Sequence, residues 1–497
     1  MRPADPFDSA SAPAAKPRGP TPRWLWVALA FCFLVGVWRI GALYLHEPLI
    51  ALANSYDEVR YSACFDLYPD RRESIQPAQN SPEAPYSRYK FVAAANPICY
   101  WSTELLFQGA AAAVYRIDAA ATGAQAFPVR WVGAFKIGAL LVLWAGFNWA
   151  WIRRGEPWSA LSNGLLLPFL FTDPANTIYL NTFYAEWTAL LALYAVAGLI
   201  LIHEGKPARG HAFGLLVLAA SALAVSKIQH IVLPLGIAVA MLAIGRWRDR
   251  VWLWKGKALL IGALAGLVVQ VVQLQRDSDA IRAINVFNQA DVVFTALLPN
   301  SRDPAATAEF LGLSPQCLQY KGLRAWQMPG FPADLCPELT KVSRGRELMA
   351  LVREPDMALR VGVAGFTALH PWVAPGLGVV EGGHFAPLPD SFFSLSDVFA
   401  EQAALRVLLF GAPFAALVVL LWRQRWRAWP RLLTVTVLTI VVTLGTLTVT
   451  VLGDGLADVP KQGHLVYNAA LVWWISALVT ATRMLFPRTR RRARAAA

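Results

Sequence analysis

The chain has 497 residues, 56% of them hydrophobic and only 15% charged, with 20 tryptophans and a mean hydropathy of +0.42. Soluble domains carry roughly 25% charged residues, so a soluble globular protein is excluded. The net charge of +13 sits in connections between apolar runs rather than in one patch, which argues against nucleic acid as a partner.

Apolar runs of about 18 residues or more recur along the chain, each long enough to cross a hydrocarbon core of roughly 30 Å. None alternates as a membrane barrel strand does. The expected fold class is an all-α polytopic membrane protein with about 10 transmembrane helices. In chain order, a Pro/Ala/Ser-rich stretch, 1–23, reads as a disordered tail. The first span, 24–45, is too long for a removable signal and lacks a small-residue cleavage site. A long loop, 46–128, precedes spans at 129–151, 157–172, 185–203, 212–226, 229–245 and 256–274, of which the second, fourth and fifth are short. A second long loop, 276–403, leads to spans at 404–422, 432–452 and 465–485 and a basic tail, 486–497.

Basic residues crowd every second connection: Arg153 and Arg154, Lys206 and Arg209, Arg246 to Lys257, Arg423 to Arg431, and both tails. The short alternate connections hold only Lys227 and Lys461. This positive-inside pattern predicts cytoplasmic termini, an even number of spans and two periplasmic loops, in a bacterial inner membrane. The cysteines follow the same division. Cys64 and Cys99 share the first loop, Cys317 and Cys336 the second, and Cys32 lies in the first span. One disulfide per loop is expected in an oxidising compartment, with buried free thiols as the alternative. No Cys/His spacing suggests zinc.

The first loop opens with "NSYDEVRYSACFDLYPDRR". It closes with a stretch read as an interfacial helix that turns Tyr100, Trp101, Leu105, Leu106 and Val114 toward lipid. The second contains turn-rich pieces and a helical stretch, Glu354 to Ala368. There is no internal repeat of the kind found in inverted-repeat transporters, and no phosphate-loop or dinucleotide motif. Any chemistry therefore belongs to the outer side, with a substrate that arrives without ATP.

Four outer connections carry candidate residues. Asp57 and Glu58, with Arg60 next to them, follow the first span. Paired carboxylates there can hold a divalent ion or take a proton from an attacking hydroxyl, or simply begin a solvated loop. Asp173 and Glu186 flank "FTDPANTIYLNTFYAEWTALL", which has no basic residue. Glu186 opens a span, where ionisable groups are costly and often functional; Asp173 can equally start a turn with Pro174. Asn181 and Tyr184 offer hydrogen bonds suited to a sugar. Lys227 and His230, three apart, share a face of a helical turn, and the cation suits a lipid phosphate or snorkels to the headgroups. In "VLGDGLADVPKQGHLVYN", 451–468, Asp454 and Asp458 are four apart, and Lys461 and His464 three. The interleaved Gly453, Gly455, Pro460 and Gly463 indicate broken backbone, which is tolerated near the membrane where it lines a cavity or meets water; a hydrophilic turn is the plain alternative. Arg39, Lys136 and Gln270 are the main polar residues inside spans, read as lying near span ends or snorkelling.

A first span followed by a long outer loop with paired acids and interfacial helices is similar to the membrane-embedded glycosyltransferases called GT-C. The segments "YLNTFYAEW", "SKIQH", "LLPNSRDPAA…FLGLSP" and "GDGLADVPKQGHLVYN" resemble a group of bacterial membrane hexose transferases of surface-glycan biosynthesis. That resemblance implies a polyprenyl-phosphate-linked sugar as donor, hexose or arabinofuranose, a periplasmic glycan or protein acceptor, and inversion at the anomeric carbon. Asp57 would be the general base, with Glu58 as the alternative. Glu186 or Asp173 would assist a divalent cation, magnesium or manganese, or the acceptor. Lys227, His230 and Lys461 would hold the donor phosphate; the Lys461-to-His464 spacing is longer than in that group. The rival reading is a transporter or flippase of lipid-linked sugars, which would place polar residues at mid-membrane.

Overall fold

The computed structural model describes residues 21–51, 55–70, 86–93, 99–207, 210–247, 250–276, 279–370, 372, 379–380, 392–422 and 429–485, with only the backbone described for 55–57, 279–281, 379–380 and 400. The predicted tails therefore lie outside the described residues, apart from 21–23.

Seven helices are long and apolar enough to cross a membrane. They are α1 (Arg23–Tyr44), α4 (Arg130–Arg153), the run Ile228–Trp247, which includes α9 (Val232–Trp247), α10 (Leu253–Gln275), α13 (Ala403–Trp422), α14 (Pro430–Asp454) and α15 (His464–Leu485). The chain is an all-α polytopic membrane protein. Two shorter apolar helices, α7 (Glu186–Ile202) and α8 (Gly210–Ser226), complete nine of the ten expected spans. The tenth, expected over 157–172, is a ten-residue helix, α5 (Pro157–Leu166), running into a π turn, Leu167–Phe171. Pro168 has no N–H to give, and its carbonyl accepts from Arg39 Nη1 (3.0 Å) and Thr172 Oγ1 (2.7 Å). Arg39 also donates to the Phe393 carbonyl (2.6 Å), so it bridges segments of the bundle rather than reaching for headgroups.

Helix ends gather at two faces. On one, Tyr44 at the end of α1 donates to the Arg130 carbonyl at the start of α4 (2.5 Å). On the other, Arg431 on α14 pairs with Glu156 (2.8 Å) before α5 and Glu204 (3.6 Å) after α7. Between α8 and α10 the backbones approach closely. A Cβ on Gly262 would meet Ala220 Cβ at 2.5 Å and the Val217 carbonyl at 2.7 Å, and one on Gly266 would overlap Ala224 Cβ. In lipid, where apolar surface gains little by leaving its solvent, such close backbone approach supplies the helix attraction. Gly262→Leu should therefore separate α8 from α10 and lower the yield of monodisperse protein on gel filtration; an unchanged profile and melting temperature would refute this.

Extramembrane structure lies on the first face. Within the first loop are α2 (Ser55–Ser62), α3 (Leu105–Thr122) and a three-stranded antiparallel sheet, β2 (Leu67–Pro69), β3 (Arg88–Phe91) and β4 (Phe127–Pro128). β1 (Ile50–Ala51) pairs antiparallel with β5 (Val379–Val380), Ile50 opposite Val380, joining the two long loops. The expected disulfides Cys64–Cys99 and Cys317–Cys336 are present, and Cys32 is free and buried. In the second loop an amphipathic opening stretch forms α11 (Asp279–Asp291), and the expected helical stretch forms α12 (Pro355–Ala368). On α3, Leu106 and Val114 are exposed as an interfacial helix requires. Tyr100 departs from expectation: its hydroxyl turns inward and donates to Gln270 Oε1 (3.1 Å), while the Trp101 N–H donates to Gln273 Oε1 (2.9 Å). Both amides are buried on α10, where an unmatched polar group is costly.

Candidate functional site

The segment between the π turn and α7 is buried throughout, 172–186. Asp173 caps the short α6 (Pro174–Thr177) by accepting from the Ala175 N–H (3.0 Å), and the same carboxylate accepts from the Ser396 N–H (3.0 Å) and hydroxyl (2.8 Å). Asn176 and Asn468 of α15 exchange amide hydrogen bonds of 2.7 and 2.9 Å. Lys136, on α4, is fully buried; its ammonium lies 2.8 Å from Glu104 Oε1 and donates to the carbonyls of Tyr179 (3.3 Å), Thr182 (2.9 Å) and Tyr184 (3.4 Å). Lys136 and Gln270 are buried with internal partners, so of the two readings expected of them, a place near a span end or snorkelling, the second is corrected.

That clamped segment delivers Glu186 to the start of α7, 1% exposed. Lys227 stands in extended backbone between α8 and a 3-10 turn, Ile228–Ile231. Its ammonium forms an ion pair with Glu186 Oε1 and lies 3.4 Å from Gln462 Oε1, which also accepts from Gln229. Glu186 Oε2 is buried and has no hydrogen-bond partner among the described residues. From the break between α14 and α15, Lys461 Nζ lies 3.1 Å from Asp458 Oδ2 and 4.7 Å from the centre of the Tyr184 ring. His464 brings Nε2 to 3.0 Å from the Glu186 carbonyl and Nδ1 to 3.2 Å from the Lys461 carbonyl. A neutral imidazole donates to only one of them. Gln462 Nε2 reaches Asp454 Oδ2 at 3.5 Å. His230 faces the Ser226 hydroxyl (2.8 Å) and is buried behind Lys227.

Beside this cluster is an acid with no signal in the sequence. Asp291 ends α11, is 2% exposed, and accepts from the Ala325 N–H at 2.7 Å. Burial, reinforced by Asp454, pushes its carboxyl up to about 8; Asp458 acts the same way, while the Ala325 N–H and Arg324 oppose. An unfolded aspartate titrates near 3.9. The folded chain thus keeps a proton that the unfolded chain releases, so stability falls as pH rises from about 4 to about 8 and is level above that. Asp291→Asn should remove this slope from a plot of melting temperature against pH; an unaltered slope would show that Asp291 is ionised throughout.

The first loop reaches the cluster from the side. Glu58 is buried and accepts from the Tyr89 hydroxyl (2.7 Å), and the Tyr89 ring meets Phe183 edge-on at 4.6 Å. Arg60 lies over Tyr61 (5.7 Å), and its carbonyl accepts from the Tyr100 N–H (2.7 Å). Burial raises the Tyr100 hydroxyl's pKa, with Arg60 and the Ile228 backbone opposing, so all three groups are neighbours. Asp57 lies on α2, and its side chain falls outside the described residues.

Glu186, Tyr184, Lys227, His230, Asp454, Asp458, Lys461 and His464 are therefore brought together from three of the four connections, with Glu58 and Arg60 at the flank. Asp173 and Asn181 face elsewhere: Asp173 fastens 394–396, and Asn181 donates to the Tyr44 carbonyl (3.2 Å). Gln229 and Gln462, which link the charged residues, carry no sequence signal beyond their place beside Lys227 and Lys461.

A divalent cation does not suit Glu186. The Lys227 and Lys461 ammonium groups both act on this carboxylate, and a divalent cation would be repelled by the two of them.

Residues 28–332 match the family model described as the YfdI N-terminal transmembrane domain. No curated protein matches the chain, and no solved structure does.

Proposed function

The chain belongs to the family of the YfdI N-terminal transmembrane domain, and on that footing we propose that it is an integral membrane glycosyltransferase of the GT-C type. It moves a sugar, hexose or arabinofuranose, from a polyprenyl-phosphate donor to a glycan or protein acceptor. The reaction lies on the periplasmic face of a bacterial inner membrane, opposite the face where Arg153, Arg154, Lys206, Arg246, Arg431 and Arg483 lie at or beside helix ends. One observation carries this reading: a buried carboxylate, Glu186, with one oxygen, Oε2, unpartnered among the described residues, beside two ammonium groups at a helix break.

The donor's phosphate ester is both leaving group and anchor. Lys227 and Lys461 stabilise the charge that grows on it as the bond to the anomeric carbon breaks, and charges set in place beforehand in this way supply much of the rate enhancement of many enzymes. Each ammonium has three donors, and the pairs with Glu186 and Asp458 hold the two in place. The acceptor hydroxyl forms the new carbon–oxygen bond from the opposite side, its proton passes to a carboxylate, Asp57 or else Glu58, and the bonding electrons leave with the phosphate oxygen. Glu186 orients Lys227 and offers Oε2 to a sugar hydroxyl.

Sugar transfer from lipid-linked donor in isolated membranes tests this. Asp57→Asn is expected to lower kcat by about 10²–10⁴, and Lys461→Ala to lower kcat by about 10²–10³ with the acceptor KM unchanged. Full activity in Asp57→Asn and Glu58→Gln alike would remove the base. Altered uptake of lipid-linked sugar with no transfer would favour the transporter.

A further inference from the structure

A cavity of about 710 Å³ opens at the basic face and ends at Leu190 and Asn468, one helical turn from Glu186 and His464. It is bounded by α5, the π turn, α7, α14 and α15, and reaches from Arg431 and Arg483 to Phe171 and Asn468. Along α15 that is 15 residues, or about 22 Å at 1.5 Å per residue. Its volume is that of a ligand site, which spans roughly 300–1,000 Å³.

The polar side chains in its wall are already paired with protein. Tyr194 donates to Asn163 Oδ1 (2.7 Å), Ser162 meets Ser476 (3.3 Å), and Thr439 and Thr480 donate to the carbonyls of Ala469 (3.2 Å) and Ser476 (2.7 Å). At the blind end Asn468 is bonded to Asn176 and the His464 carbonyl. A sugar or other polar solute would find few partners there and would lose its hydration. The mouth is different. It holds tryptophans, Trp151, Trp158 and Trp429, of the kind that settle at headgroup level, the ion-paired Arg431, Glu156 and Glu204, and a further cation, Arg483. Depth, apolar walls and a cation at the rim describe an amphiphile with one long apolar chain and a phosphate-bearing head. The roughly 22 Å depth exceeds half of the roughly 30 Å hydrocarbon core, the reach of a chain belonging to one leaflet.

We infer that this cavity holds one acyl chain of a membrane phospholipid, inserted from the leaflet opposite the Glu186 cluster with its phosphate at Arg483. This does not depend on the proposed chemistry.

The test uses the full chain in vesicles of phosphatidylethanolamine carrying a photoreactive diazirine at mid-chain. Adducts are expected on peptides from α7 and α14, and the cavity-filling variants Ala197→Phe and Ala469→Phe should each reduce them about tenfold, while Leu218→Phe on the lipid-facing side of α8 changes nothing. Arg483→Glu should shift the preference toward cationic lipid without filling the cavity, a readout that survives if the filling variants fold poorly. Adducts indifferent to all three cavity variants would overturn the assignment. So would displacement of the phospholipid by an equal amount of isoprenyl phosphate, which would give the cavity to a donor tail.

Discussion

Lys136→Met is expected to cost about 3–5 kcal/mol, the usual consequence of removing one partner of a buried ion pair, and to leave little folded protein in the membrane. The ammonium and the Glu104 carboxylate are both fully buried at 2.8 Å. Without the cation, Glu104 keeps only Thr188 and Gln108 as side-chain partners among the described residues, and the carbonyls of Tyr179, Thr182 and Tyr184 lose a common donor. Those carbonyls belong to the segment that sets Glu186 in place, so the loss should reach the site. Glu104→Gln combined with Lys136→Met removes both charges together and should recover much of the stability, since the two effects are coupled. The check is the folded fraction on gel filtration and the melting temperature of both single variants and the double. A Lys136→Met protein as stable as the parent would show that the pair contributes nothing.

Glu186→Gln should reduce sugar transfer by about 10²–10³, the range seen when one pre-set electrostatic group is removed. The change also leaves Lys227 buried without its counter-ion, so part of the loss is structural. The double variant Glu186→Gln with Lys227→Met separates the two. It should melt near the parent temperature yet stay inactive, because the charge that meets the donor phosphate is gone. Activity returning along with stability would mean that the pair only holds the fold.

Much of this is readable from the chain because charge and hydropathy act locally. Glu186, Lys227, Lys461 and His464 each sit at the end of an apolar run, and connections on one side of a membrane have a small shared surface on which to meet. The cysteine pairs follow from the same division. Asp291 is not legible. It ends an ordinary amphipathic helix, and its raised pKa comes from burial and from Asp454, far along the chain. Lys136 reads as a snorkelling residue because its counter-ion, Glu104, belongs to a loop. Asp173 in sequence fits a turn and a catalytic acid equally; the turn is there, and the second role, holding Ser396, depends on a segment 223 residues away. The π turn at Leu167–Phe171 has no signature apart from Pro168.

The reciprocal amide pair of Asn176 and Asn468 restricts what each position can become. Two carboxamides facing head to tail satisfy one another, and no single replacement does: aspartate would set an anion against a carbonyl, and leucine would strand a donor and an acceptor away from water. Drift at either position must therefore wait for its mate, and across divergent descendants of this chain the two should be found altered together or not at all.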